Sequence, residues 1–276
     1  MNSSIMYITR SGSPFRLSLR DGKMLNEAIG IMSGRLRELL QPYGPAMCLY
    51  GSVVMDDFHF GLSDIDFVLL LERPLENELA ESLLLLRQSL AQEWDENPFF
   101  RLFEGVMMSK ESFFSGGEDI VVYWGTSGQR LTKRHEIDPF ARLELIKSGR
   151  LLFGKDFRHL IPYPSRDEIV GAVKRHYETI MNYGDSGAGW FLDIARCLYT
   201  LETGDVITKT KAGEWAIARN LCPDIETLKR IVEIRMNPME LLDDPETRRW
   251  LRGLGPQIRE FAQVLKSALR QSEQSR

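Results

Sequence analysis

Two aspartates separated by one residue stand at the start of an apolar run, in the segment Ser63-Asp64-Ile65-Asp66. Because side chains alternate along a strand, positions i and i+2 point to the same side, so this spacing places both carboxylates together. Neighbouring carboxylates repel each other unless a cation lies between them. Mg²⁺ is typically held by one or two carboxylates together with substrate phosphates. The pair is therefore a candidate Mg²⁺ site, with a solvated acidic turn as the alternative.

Three features of the surrounding sequence favour the metal site. Gly51 and Ser52 end a preceding apolar run, where glycine allows close backbone approach and the serine can bind a phosphate oxygen. The apolar run after Asp66 fixes both acids on a rigid strand. Glu104 lies within a later apolar strand, and if that strand pairs beside the first, a third carboxylate joins the two aspartates. Three acids could bind two metal ions for phosphoryl transfer, whereas an outward-pointing Glu104 would be only an edge residue.

The elements that position these acids form an α/β pattern in the first half of the chain. Apolar residues at helical spacing predict helices over about 23–40 and 76–93. Four short apolar runs predict buried strands over about 46–50, 65–71, 99–109 and 120–124. The first twenty or so residues are poorly patterned and are expected to form an extension. The sequence therefore predicts an α/β (α+β) domain with a small mixed sheet in the first half of the chain.

The second half of the chain has a helical pattern. The character of the sequence changes around residues 150–165, where the glycine- and proline-containing segments 153–156 and 162–164 are predicted to form a linker. Beyond them, five helices are predicted over about 166–182, 189–203, 209–220, 224–236 and 245–270. The predicted organisation is a catalytic domain over residues 1–157, followed by an all-α helical-bundle domain over residues 158–276.

Composition excludes several classes of protein. The chain has 276 residues, of which 43% are hydrophobic, and its formal net charge of -4 disfavours a nucleic-acid-binding role. No apolar run approaches the roughly 20 residues of a membrane span, and the N-terminal residues do not resemble a secretory signal. The three cysteines are far apart and do not suggest a zinc site or a disulfide framework. We therefore expect a cytoplasmic protein that acts on small molecules, as a monomer or weak homodimer.

Two blocks of sequence carry a resemblance to a known family. The motif Leu49-Tyr50-Gly51-Ser52 followed by Ser63-Asp64-Ile65-Asp66 resembles the signature of the polymerase-β-like nucleotidyltransferase superfamily. In the second half, the segments 192–204 and 207–216 resemble the helical domain of streptomycin/spectinomycin adenylyltransferases, which are aminoglycoside adenylyltransferases. The resemblance covers about residues 45–220, and it is specific in these blocks and loose elsewhere. The chain is thus identified as a divergent relative of that family.

The resemblance implies a role for each matching position. Asp64 and Asp66 match Mg²⁺ ligands, and Glu104 matches the catalytic base that deprotonates a substrate hydroxyl. The positions beside the nucleotide triphosphate are matched by Gly51, Ser52 and Ser63, and the basic residues that reach the phosphates are matched by Arg196 and Lys209. The implied cofactor set is ATP as co-substrate with two Mg²⁺ ions, with ATP bound in a cleft between the domains.

The acceptor half of the predicted site departs from the family pattern. Asp185, in a glycine-rich loop, aligns with an acidic position that contacts the drug, but an expected histidine is replaced by Gly189. Asp185 could equally be a helix cap. Trp124 lies in the segment 121–126, which lacks the Phe-Gly-Glu-Trp block expected from the family at this place. Its side chain could stack on a base or sugar, or it could be a core aromatic. Asp185 and Trp124 are therefore the predicted acceptor-binding residues.

The basic residues of the helical domain also have structural alternatives. Asp193 and Arg196 are three residues apart on a mostly apolar helix, so they could form a buried ion pair that orients the helix. Lys209 begins a helix, where the dipole disfavours a cation unless an anion is bound there. A lysine at the start of a helix is usually solvated and binds no anion. The family match assigns Arg196 and Lys209 to the phosphates.

The predicted activity is Mg²⁺-dependent transfer of AMP from ATP to a hydroxyl of a small cationic substrate, with an aminoglycoside or aminocyclitol antibiotic as the expected acceptor. Such a transfer would confer antibiotic resistance. The alternatives are transfer to another acceptor, such as a lincosamide, a metabolite or a protein, and a non-catalytic nucleotide-binding module. The presence of all three acids favours an enzyme, because a catalytically dead site is expected to have lost a metal ligand.

Overall fold

The computed structural model describes residues 19–125 and 128–274, and the predicted N-terminal extension lies almost entirely outside this part of the chain. The described residues divide into two compact units. The first unit contains the residues up to Phe58, then Ser63–Ile137 and Glu144–Pro162. The second unit contains His59–Leu62, Asp138–Leu143 and the residues from Tyr163 onward. The predicted domain ranges of 1–157 and 158–276 are kept as a proposal.

The first unit is built on a six-stranded mixed sheet. Its strands, in chain order, are β1 (Ala46–Tyr50), β2 (Ile65–Leu71), β3 (Phe103–Ser109), β4 (Val121–Gly125), β5 (Gly128–Thr132) and β6 (Arg150–Phe153). Their order across the sheet is β5-β4-β3-β2-β1-β6. The β2–β3 pair is parallel and the other neighbours are antiparallel. The parallel pair is central, so its strands are flanked on both sides and nearly every residue in them is buried.

The two faces of the sheet differ in what they carry. One face holds an apolar cluster that includes Val68, Val106 and Phe157, and the same face carries the side chain of Asp66, two residues before Val68. On the opposite face, Phe67 and Trp124 contact each other with ring centroids 5.5 Å apart. The alternation of side chains therefore separates the acidic positions from this aromatic core.

Four helices belong wholly or partly to the first unit: α1 (Leu19–Leu40), α2 (Asn77–Glu93), α3 (Lys110–Ser115) and α4 (Pro139–Ser148). The predictions for α1, α2, β1 and β2 agree with these bounds to within a few residues. Two short strands, β5 and β6, were not predicted. The predicted linker segments 153–156 and 162–164 lie outside the strands except at Phe153, the last residue of the edge strand β6 that pairs with β1.

The second unit is helical beyond residue 163. Its helices are α5 (Arg166–Tyr183), α6 (Gly189–Thr203), α7 (Lys209–Ala218), α8 (Ile225–Met236), α9 (Pro238–Leu241), α10 (Pro245–Arg252) and α11 (Gly255–Gln274). A capping box starts α5, in which the Ser165 side chain accepts from the Glu168 backbone and the Glu168 side chain accepts from the Ser165 backbone. The predicted single helix over 245–270 is wrong, because the chain breaks at Gly253 and Leu254 between α10 and α11.

The core of the second unit lies among α5, α6, α7, α8 and α11. Phe191, Ile231 and Phe261 are fully buried there, and Phe191 and Phe261 lie 5.9 Å apart between ring centroids. The observed architecture confirms the predicted fold class, a mixed-sheet domain followed by an all-α domain. Among the described residues, no helix is long and apolar enough to cross a membrane.

Candidate active site

Asp66 and Glu104 lie directly opposite each other on the neighbouring parallel strands β2 and β3. Side chains at paired positions point to the same face of a sheet, so both carboxylates project from one face. Asp64 precedes Asp66 by two residues and therefore lies on the same side of the chain. All three residues are partly exposed. The strand pairing thus gathers the three predicted acids at one end of the central strand pair.

The carboxylates on this face of the sheet meet part of what a Mg²⁺ site requires. Carboxylate oxygens are the ligands that this hard ion prefers, and it commonly takes only one or two of them together with waters and phosphates. Over residues 19–125 and 128–274, no three acidic, histidine or cysteine side chains are grouped closely enough to hold a metal ion. The three predicted acids therefore share one face of the sheet without forming a closed three-ligand site. The assignment of Asp64, Asp66 and Glu104 as Mg²⁺ ligands, with Glu104 also as the base, remains a prediction.

Gly51 makes room for the Asp66 carboxylate. It follows β1 with a φ of +70°, a conformation that side-chain-bearing residues rarely adopt. A Cβ built at this position would lie 2.3 Å from Asp66 Oδ2. The positive φ and the lack of space for a Cβ therefore both require glycine here. The lack of space is due to the carboxylate of Asp66, a predicted metal ligand.

The two predicted serines stand on either side of the loop between β1 and β2. The Ser52 hydroxyl donates to the Asp64 carbonyl oxygen over 3.4 Å, which joins the end of the first strand to the start of the second. Ser63 is buried, with 7% of its surface exposed. These positions bring both serines next to the acidic pair. Contact with a triphosphate remains a prediction for both residues and for Gly51.

Tyr50 and Tyr123 flank the acids, and the sequence pattern alone did not identify either residue. Tyr50 pairs with Asp66 across β1 and β2, and burial together with the negative charge of Asp66 raises its pKa well above the ordinary value. The Tyr123 hydroxyl donates to Glu104 Oε1 over 2.9 Å. Burial, then the charge of Glu104, raises the pKa of Tyr123 to about 12, so this phenol remains a hydrogen-bond donor near neutral pH.

Arg87 is a further residue near the acids that sequence patterns did not indicate. From α2 it donates to the carbonyl oxygens of Phe103, at 2.6 Å, and Gly125, at 3.2 Å, which lie at the adjacent ends of β3 and β4. Burial lowers its pKa, while Glu104 and Asp64 act in the opposite direction. Beside it lies a cavity of about 410 Å³ lined by Arg87, Gln88, Ala91, Gln92 and Arg101. Arg87 thus ties together the strand ends that carry the base.

Trp124 does not lie on the acidic face. It follows Tyr123, so its side chain points to the opposite side of the sheet, where it is 0% exposed. Its indole Nε1 donates to the Leu83 carbonyl oxygen over 3.0 Å, and its ring contacts Phe67. The prediction that Trp124 binds the acceptor is therefore corrected, because its whole surface is used in the core.

The predicted phosphate-binding residues of the second unit form an ion-pair cluster. Lys209 Nζ lies 3.0 Å from Asp193 Oδ1, and Arg196 Nη2 lies 3.7 Å from the same carboxylate. Burial would raise the pKa of Asp193, but the two cations outweigh it and hold the pKa below its ordinary value. Thr208 caps α7 by accepting from the Lys211 backbone. The structural alternative of an ion pair is therefore present, and a phosphate role for Arg196 and Lys209 remains a prediction.

Asp185 is exposed and does not cap a helix. Its carboxylate accepts from Arg259 Nη1 over 2.9 Å, and 80% of the side chain is exposed. The next helix, α6, has Ala188 at its N-cap position and lacks a side-chain cap there. The helix-cap alternative is therefore wrong. A contact with a substrate amine stays a prediction, and it would have to compete with Arg259.

Comparisons with known proteins agree with this description. Residues 164–231 match the family model described as aminoglycoside adenylyltransferase, C-terminal domain. The fold is similar to that of spectinomycin adenyltransferase AAD(9) from Enterococcus faecialis, solved with ATP and spectinomycin. That likeness has a TM-score of 0.66 and 15% sequence identity, and it covers 87% of this chain and 98% of the other. No curated protein sequence matches this one. Residues 164–231 are thus similar to the C-terminal domain of aminoglycoside adenylyltransferases, and the fold of the chain is similar to that of the solved AAD(9) structure.

Proposed function

We propose that this aminoglycoside adenylyltransferase-like chain is an enzyme that transfers AMP from ATP to a hydroxyl of an aminoglycoside or aminocyclitol. The observation that carries the proposal is the register of β2 and β3, which places Glu104 opposite Asp66 on the same face of the sheet. A metal-binding pair next to a candidate base is the arrangement that phosphoryl transfer to a hydroxyl requires. The match of residues 164–231 to the C-terminal domain family supports the same class of reaction.

In the proposed reaction, the acceptor hydroxyl oxygen attacks the α-phosphorus of ATP. Glu104 accepts the hydroxyl proton, the new O–P bond forms, and the bond between the α-phosphorus and pyrophosphate breaks. Asp64 and Asp66 would hold Mg²⁺, which supplies charge neutralisation at the phosphate oxygens when bound. Gly51, Ser52 and Ser63 line the approach to that pair and are proposed to contact the triphosphate.

The basic residues of the second unit are proposed to bind the phosphates. Lys209 and Arg196 both lie beside the Asp193 carboxylate, at 3.0 and 3.7 Å. Lysine and arginine side chains donate charge-assisted hydrogen bonds to phosphate oxygens, which supports the proposed role. Asp185 is proposed to contact an acceptor amine, and the fully buried Trp124 is not included.

The similar proteins support the proposed acceptor class. AAD(9) was solved with ATP and spectinomycin, and the matched family is named for aminoglycosides. We propose the same acceptor class here. The cytoplasm, where ATP is available, is the proposed location.

A transfer assay tests the proposal. The protein is incubated with Mg²⁺ and ATP labelled at the α-phosphate, against a panel of aminoglycosides, spectinomycin and a lincosamide. We expect label on at least one aminoglycoside or aminocyclitol, and loss of the label with Glu104→Gln. Labelling of only the lincosamide would support the alternative acceptor. Binding of ATP without transfer to any acceptor would indicate a non-catalytic nucleotide-binding module.

A further inference from the structure

Tyr123 reaches Glu104 along the face of the sheet that carries the acids. On the antiparallel β3–β4 pair, Tyr123 lies opposite Val106, and Glu104 precedes Val106 by two residues, so the three side chains share one face. The hydroxyl of Tyr123 then spans the diagonal to Glu104 Oε1, at 2.9 Å. This is a hydrogen bond of ordinary length to a charged acceptor, the stronger kind in proteins.

The surroundings hold the Tyr123 ring in the orientation that this hydrogen bond needs. A Cβ at Gly125 would lie 2.4 Å from Tyr123 Cε1 and 2.6 Å from its hydroxyl, so the ring lies across the open space that glycine leaves. The Arg130 guanidinium lies over the ring, 4.1 Å from its centroid, and the His135 ring stacks at 5.5 Å with an angle of 28°. Three neighbours thus restrict the ring whose hydroxyl contacts the base.

A purely structural role would not need the hydroxyl. Tyr123 packs against the apolar cluster around Val106, and a phenylalanine would fill the same space. The hydroxyl instead donates to the carboxylate of Glu104, which is partly exposed. Its effect is therefore expected on the orientation of Glu104 rather than on packing.

We propose that Tyr123 is a positioning residue for Glu104, and that its hydroxyl fixes one carboxylate oxygen so that the base is oriented toward the acceptor hydroxyl. This inference rests on the proposed function, because it names the residue that orients the proposed base. Tyr123 itself neither transfers the proton nor contacts the phosphates in this account. A general base must lie within hydrogen-bond reach of the proton it removes, so its orientation limits the rate.

The test compares Tyr123→Phe with the wild-type protein in two measurements. In the first, the protein is labelled with ¹³C at glutamate side-chain carboxyls, and the Glu104 signal is assigned with Glu104→Gln. We expect the Glu104 signal to shift in Tyr123→Phe at constant pH. Tyr163→Phe, at a tyrosine that is 64% exposed, is the matched control and should leave that signal in place. An unchanged Glu104 signal in Tyr123→Phe would overturn the inference, whatever the activity.

The second measurement is steady-state transfer. We expect kcat of Tyr123→Phe to fall about 10- to 100-fold, the range for loss of a hydrogen bond to a charged group, while KM for ATP stays unchanged. Tyr163→Phe should retain both values. Gly125→Ala should reproduce the fall in kcat, because its Cβ displaces the ring that carries the hydroxyl.

The outcomes separate this inference from the proposed function. If the wild-type protein transfers AMP and Tyr123→Phe has the same kcat, the positioning role is refuted and the proposed function stands. If the wild-type protein transfers AMP to no acceptor, the proposed function is refuted, and the Glu104 carboxyl signal still tests whether Tyr123 orients Glu104. A raised KM for ATP with an unchanged kcat would also contradict the inference, because it would place Tyr123 in nucleotide binding.

Discussion

Asp66 and Glu104 face each other across the only parallel strand pair of the described sheet. Their positions follow from the register of β2 and β3, which are central strands with little freedom to shift, since a slip of one residue would move every side chain to the opposite face of the sheet. The separation of the proposed metal-binding position from the proposed base is therefore set by the sheet rather than by a flexible loop.

Gly51→Ala should abolish transfer by displacing the Asp66 carboxylate. The backbone strain costs about 1–2 kcal/mol of stability, and the added Cβ would lie 2.3 Å from Asp66 Oδ2. Gly204→Ala is the matched control, because Gly204 has the same φ of +70° but open space around its Cβ. Thermal unfolding and labelled transfer measure the two effects. Similar stability losses with activity lost only in Gly51→Ala are expected, and equal activity in both variants would refute the explanation.

Asp193→Asn should destabilise the protein by about 2 kcal/mol, because Lys209 and Arg196 lose their shared partner. The folded-state pKa of Asp193 lies below its ordinary value of 3.8. The carboxylate therefore stabilises the fold fully above that value, and its contribution is lost as the pH falls through the lowered pKa. Denaturant unfolding between pH 7 and pH 2 measures this. We expect a shallower pH dependence for the variant, and identical slopes would contradict the assignment.

Lys209→Gln should weaken ATP binding roughly tenfold through the loss of one cation near the phosphates. Lys211→Gln, at an exposed position on the same helix, is the control and should bind ATP as the wild-type protein does. Calorimetry with Mg²⁺ and ATP measures both. Equal affinity in the two variants would leave Lys209 with only its ion pair to Asp193.

Trp124→Phe should lower the free energy of unfolding by about 2–3 kcal/mol, through the lost indole hydrogen bond and a new cavity in the core. KM for the acceptor should not change, because the side chain is fully buried. Denaturant unfolding and acceptor kinetics separate these effects. A raised acceptor KM with unchanged stability would restore the substrate-binding role that the structure removes.

Strong periodicity made much of the fold predictable. The apolar runs of β1 and β2 and the helical spacing of α1, α5 and α6 gave the element types within a few residues. The strands β5 and β6 are short, and β5 is polar and only partly buried, so they lack a run long enough to detect. The break between α10 and α11 falls where apolar spacing continues on both sides, and its sequence markers are Gly253, Gly255 and Pro256.

The site was predictable where it depended on adjacent residues and not where it depended on register. The Asp64–Asp66 spacing identified the acidic pair directly. In β4, however, the choice between Tyr123 and Trp124 depends on which of two neighbouring side chains shares the face of Glu104. A single sequence does not contain the strand register, so it could not show that Trp124 lies on the face opposite Glu104.

The most direct test of the account is nucleotidyl transfer by Asp66→Asn. This substitution keeps the shape of the side chain but removes the charge opposite Glu104. We expect the variant to have the circular dichroism and unfolding midpoint of the wild-type protein, while labelled AMP transfer falls by about 100-fold or more. A folded Asp66→Asn protein that transfers AMP at the wild-type rate would contradict the proposed site.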